Sequence, residues 1–346
     1  MAVLDSLKHR IMDSGPLYFD EFMNEALYGP GGFFAGDVLR SVKGGDFLTS
    51  PEVSPLFGAT LARFVEQERA RIGEPFRLVE VGAGSGSLLA SLLAEIEVDA
   101  WAVEVSPPAR LALEAIVPAV RVADKAETAV GRGVVLANEL LDNLPMSLAV
   151  RRAEGWAEQV VAIGPDGLTL EEVPARPEVG AWADRFSGPV AEGSLVEVQL
   201  QAAEWVRTVL NLIGEGALLV IDYGATAEEL EPRRVTGTLR TYRSHHLGPD
   251  PLHAPGQTDI TADVNFTALM AVAEEEGAAV ELLRQDDLLT DLGLREELSR
   301  LRREELELAR SGDEMARLQM RSCHTEAQAL LNPRGLGDFR ALVARK

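Results

Sequence analysis

The chain has 346 residues, 46% hydrophobic and 25% charged, enough to bury a large core in one elaborated domain or two modest ones. Its net charge of −22, from 33 basic and 55 acidic residues, repels a phosphate backbone and disfavours nucleic acid, whereas a basic protein segment would be drawn in. The single cysteine, Cys323, excludes an internal disulfide, no Cys/His cluster has zinc-ligand spacing, and no apolar run reaches the roughly 18 residues needed to insert in a membrane.

Residues 1 to about 28 read as amphipathic and helical. They contain no apolar h-region, and Asp5 and Asp13 argue against a transit peptide, so the cytoplasm is the simplest placement. A Gly/Pro-rich loop follows at 28–34, and helical spacing returns from Pro55 to Arg71. Residues 1–72 thus form a helical and loop segment bordering the active site. Strand and helix then alternate: strand 77–81, helix 87–96, strand 100–105, helix 108–115, strand 119–122 and strand 133–137. Alternation of this kind predicts an α/β, doubly wound parallel sheet whose crevice lies outside the carboxyl ends of its strands. Residues 73–146 are the first half of that Rossmann-like core. After Pro145 the pattern changes to antiparallel strands over 147–173 with a turn at 164–167, an insertion spanning 147–193. The second half, 194–346, resumes with a helix near 201–213 and the strand 217–222. A loop-rich region at 226–262 and a helix at 264–276 come next. Strand 278–284, two charged helices within 288–331 and a last strand near 338–344 complete it.

The run Leu78-Val79-Glu80-Val81-Gly82-Ala83-Gly84-Ser85-Gly86 carries the most information. An apolar strand stops at a glycine-rich turn where the backbone can bend tightly and approach a ligand. Glu104 ends the second strand about twenty residues on, the spacing that delivers a carboxylate to a ribose diol. The glycines follow G-x-G-x-G rather than the dinucleotide G-x-G-x-x-G, and Glu80 stands where a pyrophosphate would be repelled. A nucleoside with a cationic amino-acid head and no phosphate, S-adenosylmethionine (SAM), suits these residues better than NAD.

Active groups in such folds gather at strand ends. Asp124, after the third strand, is either an acceptor for the adenine amino group or a solvated turn acid. After the fourth strand come Asn138, Glu139 and Asp142, beside the place expected for a sulfonium. Two carboxylates there can clamp a guanidinium bidentately and make one nitrogen the better nucleophile. Asp142 and Asn143 would equally serve as turn caps before Pro145. Asp222 and Tyr223 end the fifth strand, and the loop histidines His245, His246 and His253 read mainly as surface residues.

Several longer segments make the chain resemble the MidA-like SAM-dependent methyltransferases, whose mitochondrial members assist respiratory complex I assembly. They are Gly45-Asp46-Phe47-Leu48-Thr49-Ser50-Pro51-Glu52, the 79–86 turn, Asn138-Glu139-Leu140-Leu141-Asp142-Asn143-Leu144-Pro145, Ile221-Asp222-Tyr223-Gly224 and Pro255-Gly256-Gln257-Thr258-Asp259-Ile260-Thr261-Ala262. The resemblance implies a class I methyltransferase core and methylation of a protein arginine, on a respiratory or assembly-related substrate. The strand-end reading above gives catalytic roles to Glu139 and Asp142, and cofactor contacts to Glu80, Gly82, Ala83, Gly84, Gly86, Glu104, Asp124 and Asn138. Acceptor contacts would come from Asp46, Thr49, Ser50, Glu52, Asp222, Tyr223, Asp259 and Thr261. Two departures stand out: the turn lacks the proline and arginine expected of the family, and Asn138 replaces the histidine of its mitochondrial members. A SAM-binding assembly protein without turnover is the alternative reading.

Overall fold

A computed structural model describes residues 2–36, 49–243, 246–311 and 313–346. Its central sheet has seven strands: β1 (Arg77–Val81), β2 (Asp99–Val103), β3 (Arg121–Ala123), β4 (Gly133–Asn138), β5 (Gly216–Asp222), β6 (Ala279–Arg284) and β7 (Arg340–Arg345). Their order is β3-β2-β1-β4-β5-β7-β6, with β1 to β5 parallel and β7 antiparallel between β5 and β6. The chain moves outward from β1 to β3 and then jumps back to β4. Loops leaving β1 and β4 therefore diverge, and a crevice opens at their carboxyl ends.

Helices cover both faces, which is why the strands read as continuous apolar runs; β5 is buried at every position. On one face lie the helices Leu56–Ile72, Ser87–Leu93 and Gln285–Asp291. On the other lie Leu200–Leu212 and Phe266–Glu275. The charged stretch after residue 293 folds as the helices Leu294–Ser311 and Glu314–Ala329.

The insertion builds a second, antiparallel sheet from Ser147–Arg152, Gly155–Gly164 and Gly167–Pro174. Two strands from elsewhere join it. Leu195–Val198, expected with the second half of the core, pairs with residues 147–150, and the short strand Leu17–Tyr18 pairs with Val160 and Val161. Leu7, Phe19, Phe22 and Leu27 then pack against Leu148, Val161 and Ile260. The amino-terminal helices and the insertion thus form one wall beside the crevice, and the Tyr28 hydroxyl donates to Asn143 O (3.2 Å). A small sheet of Arg240–Arg243, His246–Leu247 and Asp259–Thr261 stands on the same side. Its register sets Arg240 opposite Thr261 and Tyr242 opposite Asp259, so by the two-residue period these four share one face.

Candidate active site

At the end of β1 the backbone passes through Gly82 (φ 72°) and Gly84 (φ 51°), in the left-handed region that penalises a side chain. A Cβ on Gly82 would also stand 2.9 Å from Leu140 Cδ1. The turn is tied to the end of β2: Gly82 N–H donates to Val103 O (2.8 Å), and Gly84 N–H to Glu104 Oε2 (2.9 Å). Glu104 Oε1 accepts from Ser106 N–H (2.8 Å). A carboxylate offers about four lone-pair sites, so Glu104 can hold both backbone segments and still accept from a diol.

Over this turn lies a cavity of about 450 Å³, lined by Glu52, Glu80, Glu104 and Glu139 and by the aromatic rings of Tyr28, Phe34 and Trp205. Its described lining residues include no lysine, arginine or histidine. Glu80 is buried, its Oε2 without a hydrogen-bond partner, and Asn138 Oδ1 is likewise buried and unpartnered. Burial, and then the neighbouring Glu104, push the Glu80 carboxyl well above the usual range. Two orphan acceptors among acids invite a cationic donor and would reject a pyrophosphate. These residues therefore fit a nucleoside with a cationic head and aromatic neighbours for its base.

Glu139 follows β4 with φ 50°, the sole non-glycine residue with positive φ among the described residues. Its N–H donates to Ile221 O (2.8 Å), while its Oε1 accepts from Ser50 N–H (3.1 Å) and Asn138 Nδ2–H (3.3 Å). The unusual backbone turns the residue into a partition. It lines the first cavity and also a second of about 430 Å³, lined by Asp142, Tyr223, Arg240, Asp259 and Phe339 among others. Burial pushes the Glu139 carboxyl up to about 8, against the Ser50 hydrogen bond, and Asp142 and Glu52 add to the rise. Asp142, also raised by burial, accepts the Tyr223 hydroxyl and Thr261 Oγ1–H (2.7 Å) on Oδ2; its Oδ1 is buried without a partner. Asn143 donates to Asp259 Oδ1 (2.8 Å) and Ile260 O (3.1 Å), fastening this loop to the small sheet.

Several residues expected at the site sit elsewhere. Asp222 is buried beneath the 139–143 loop, accepting from Leu141 N–H (2.9 Å), Asp142 N–H (3.3 Å) and Tyr223 N–H (2.9 Å), and lines neither cavity. Thr261 holds Asp142, and Ser50 holds Glu139, without lining either. Gly86 leaves room for packing instead: a Cβ there would meet Leu113 Cδ2 at 2.8 Å. Asp124 stands exposed past β3, outside the cavity. Asp46 lies outside the described residues, as does His245, and His246 and His253 line neither cavity. Thr49 and Glu52 border the first cavity, where Glu52 accepts from Thr49 N–H (3.2 Å) and from Ser85 Oγ–H (3.2 Å). Tyr28, Trp205, Arg233, Arg240, Asp263 and Phe339 line the cavities without having been expected there. Only the two-residue alternation of 240–242 and 259–261 hints at any of them.

A sheet of order β3-β2-β1-β4-β5-β7-β6, with a glycine turn after β1 and an acidic cleft free of lysine, arginine and histidine among the described residues, defines a methyltransferase of the Rossmann-like kind. Residues 57–283 match the family described as "Putative S-adenosyl-L-methionine-dependent methyltransferase", and the chain belongs to that family. It is a SAM-dependent methyltransferase. A Burkholderia thailandensis protein solved bound to S-adenosyl-homocysteine is 32% identical, with TM-score 0.87 over 100% of this chain and 92% of that one. The chain is similar to the mitochondrial protein arginine methyltransferase NDUFAF7 of Bos taurus (30% identical, 99% of this chain and 83% of that protein). The Homo sapiens protein of the same name is 29% identical, over 97% of this chain and 81% of that protein. The two NDUFAF7 proteins are mitochondrial, which overturns the cytoplasmic placement drawn from the amino-terminal residues. Charge and hydropathy report solubility in water, which a matrix and a cytosol share. No described helix is long and apolar enough to cross a membrane.

Proposed function

We propose that the protein methylates an arginine side chain of a protein substrate, which enters through the second cavity and meets the cofactor at Glu139. One observation carries this reading: Glu139 is a wall common to both cavities, and beyond it the second cavity offers a further acid, Asp142, whose Oδ1 has no hydrogen-bond partner, beside the Tyr223 and Phe339 rings. Those rings lie 5.6 Å apart at 59°, packed against each other as an aromatic wall of this cavity. The names of the mitochondrial relatives support it too. The −22 field would steer a basic segment toward the protein.

In this reading Glu80, Asn138, Glu104 and the 82–84 turn hold the cofactor, which supplies an electrophilic methyl group on a positive sulfur. Tyr223 and Thr261 fix Asp142, and Ser50 fixes Glu139, so two carboxylates converge on one guanidinium with little freedom to lose. Binding the cation ionises Glu139. The carboxylate then takes the proton released from the attacking nitrogen, a task suited to an acid whose proton affinity burial has raised. The methylated guanidinium leaves with its single positive charge.

The test is incubation with methyl-labelled SAM and cell lysate, followed by mass spectrometry of the labelled protein. Label on arginine that disappears with Glu139→Gln is the expected result. Label on another residue type, or none in the presence of bound SAM, rejects the reading; the latter would favour the binding protein without turnover.

A further inference from the structure

We propose that Arg233 and Arg240 form a carboxylate-reading rim on the second cavity, selecting acceptor arginines that have a carboxylate one or two residues away. This rests on the arginine reading above. The ion pairs of both arginines converge on one acid: Arg233 Nη1 lies 2.6 Å from Asp263 Oδ2, and Arg240 Nη2 bonds Asp263 Oδ1. The two guanidinium groups thus share one ion-pair partner, and that carboxylate is itself buried. Arg240 Nε, moreover, is buried and has no hydrogen-bond partner.

The rim stands outside Asp142. The side chains of Arg233 and Arg240 are 50% and 38% exposed, whereas Asp142 is 3% exposed. Tyr223 spans the step between them, its ring under the Arg240 guanidinium at 5.4 Å and its hydroxyl on Asp142. An arginine whose guanidinium rests against Asp142 and Glu139 would have its backbone near the level of Arg240. Extended chain advances about 3.3–3.6 Å per residue, so the next side chain or two would pass the rim. A carboxylate there would meet the exposed parts of two guanidinium groups that share one ion-pair partner; a lysine would find repulsion. The bulk negative charge does not cancel this preference. Beyond roughly 8 Å, physiological salt screens distant charges, while the rim acts at contact.

The experiment is calorimetry of the protein loaded with S-adenosylhomocysteine against four acetylated dipeptides: Arg-Glu-amide, Arg-Ala with a free C-terminus, Arg-Gln-amide and Arg-Lys-amide. At least one carboxylate-bearing peptide should bind roughly three- to tenfold more tightly than Arg-Gln-amide, as expected for a partly exposed charge-assisted contact. The two acidic arms tell whether a side-chain or a main-chain carboxylate is read. Arg233→Gln and Arg240→Gln should each move that ratio toward one, while Arg240→Lys keeps most of it. Arg233→Gln, half exposed, is the change least able to disturb the fold. Equal affinity for acidic and neutral peptides, or an acidic preference that survives both glutamine substitutions, would overturn the inference. Binding of none of the four would overturn the arginine reading beneath it.

Discussion

Glu139→Gln should stabilise the protein at alkaline pH and leave it unchanged near pH 4.5. Burial holds the Glu139 carboxyl near 8 in the folded protein, against about 4.3 when unfolded. Between those values the native state keeps a proton that the unfolded state has lost, so folding stability falls as pH rises through the window. At about 1.4 kcal/mol per unit the full penalty would be close to 5 kcal/mol. Glu139 is half-buried and faces two cavities, so we expect roughly 2–3 kcal/mol after solvent screening. Glutamine keeps the acceptor for Ser50 N–H and never ionises. Thermal unfolding of the two proteins from pH 4.5 to 8.5 should therefore give curves that coincide at the acid end. By pH 8.5 they should separate by roughly 3–4 °C in favour of the variant. A separation independent of pH, or a wild type more stable than the variant at pH 8.5, would refute the account of Glu139.

Glu104→Ala removes the acceptor for both Gly84 and Ser106, and S-adenosylhomocysteine affinity should fall about 100-fold by calorimetry, each tenfold being worth 1.4 kcal/mol; a change under threefold would refute its place in the cleft. Glu80→Gln should weaken S-adenosylhomocysteine about tenfold but affect 5′-methylthioadenosine, which lacks the amino-acid head and its ammonium, less than threefold, and equal losses would remove Glu80 from head recognition. Tyr223→Phe leaves Asp142 with Thr261 alone and should cost about 1–2 kcal/mol, read as a lower Tm; an unchanged Tm would count against that bond. Glu139→Gln should retain S-adenosylhomocysteine binding within about threefold while transfer falls on the order of 100-fold, and full transfer by the variant would sink its role as proton acceptor.

The glycine-turn side of the first cavity was legible because its parts are local. A strand, a glycine turn and an acid one strand later are fixed by spacing along about thirty residues, and the sheet brings Val81 and Val103 into register as neighbours. The second cavity was not, since its wall is drawn from 139–143, 223–242, 259–263 and 335–339, joined only by packing. Strand-end acids look alike in sequence. Glu104 and Asp222 both close parallel strands, yet one faces the crevice and the other turns under a loop to satisfy three N–H groups. Asp124 follows a three-residue edge strand and stays in solvent. The positive φ of Glu139 carries no signal either, because nothing in Asn138-Glu139-Leu140 asks for a left-handed backbone.

The joining of the two cavities at one carboxylate is tested most directly by a crystal structure with S-adenosylhomocysteine and an arginyl dipeptide bound together. The account predicts the thioether beside Asn138 and the guanidinium bridging Glu139 and Asp142 from the Tyr223 side. A guanidinium reaching the cofactor by another opening, with Asp142 Oδ1 still unpartnered, would contradict it.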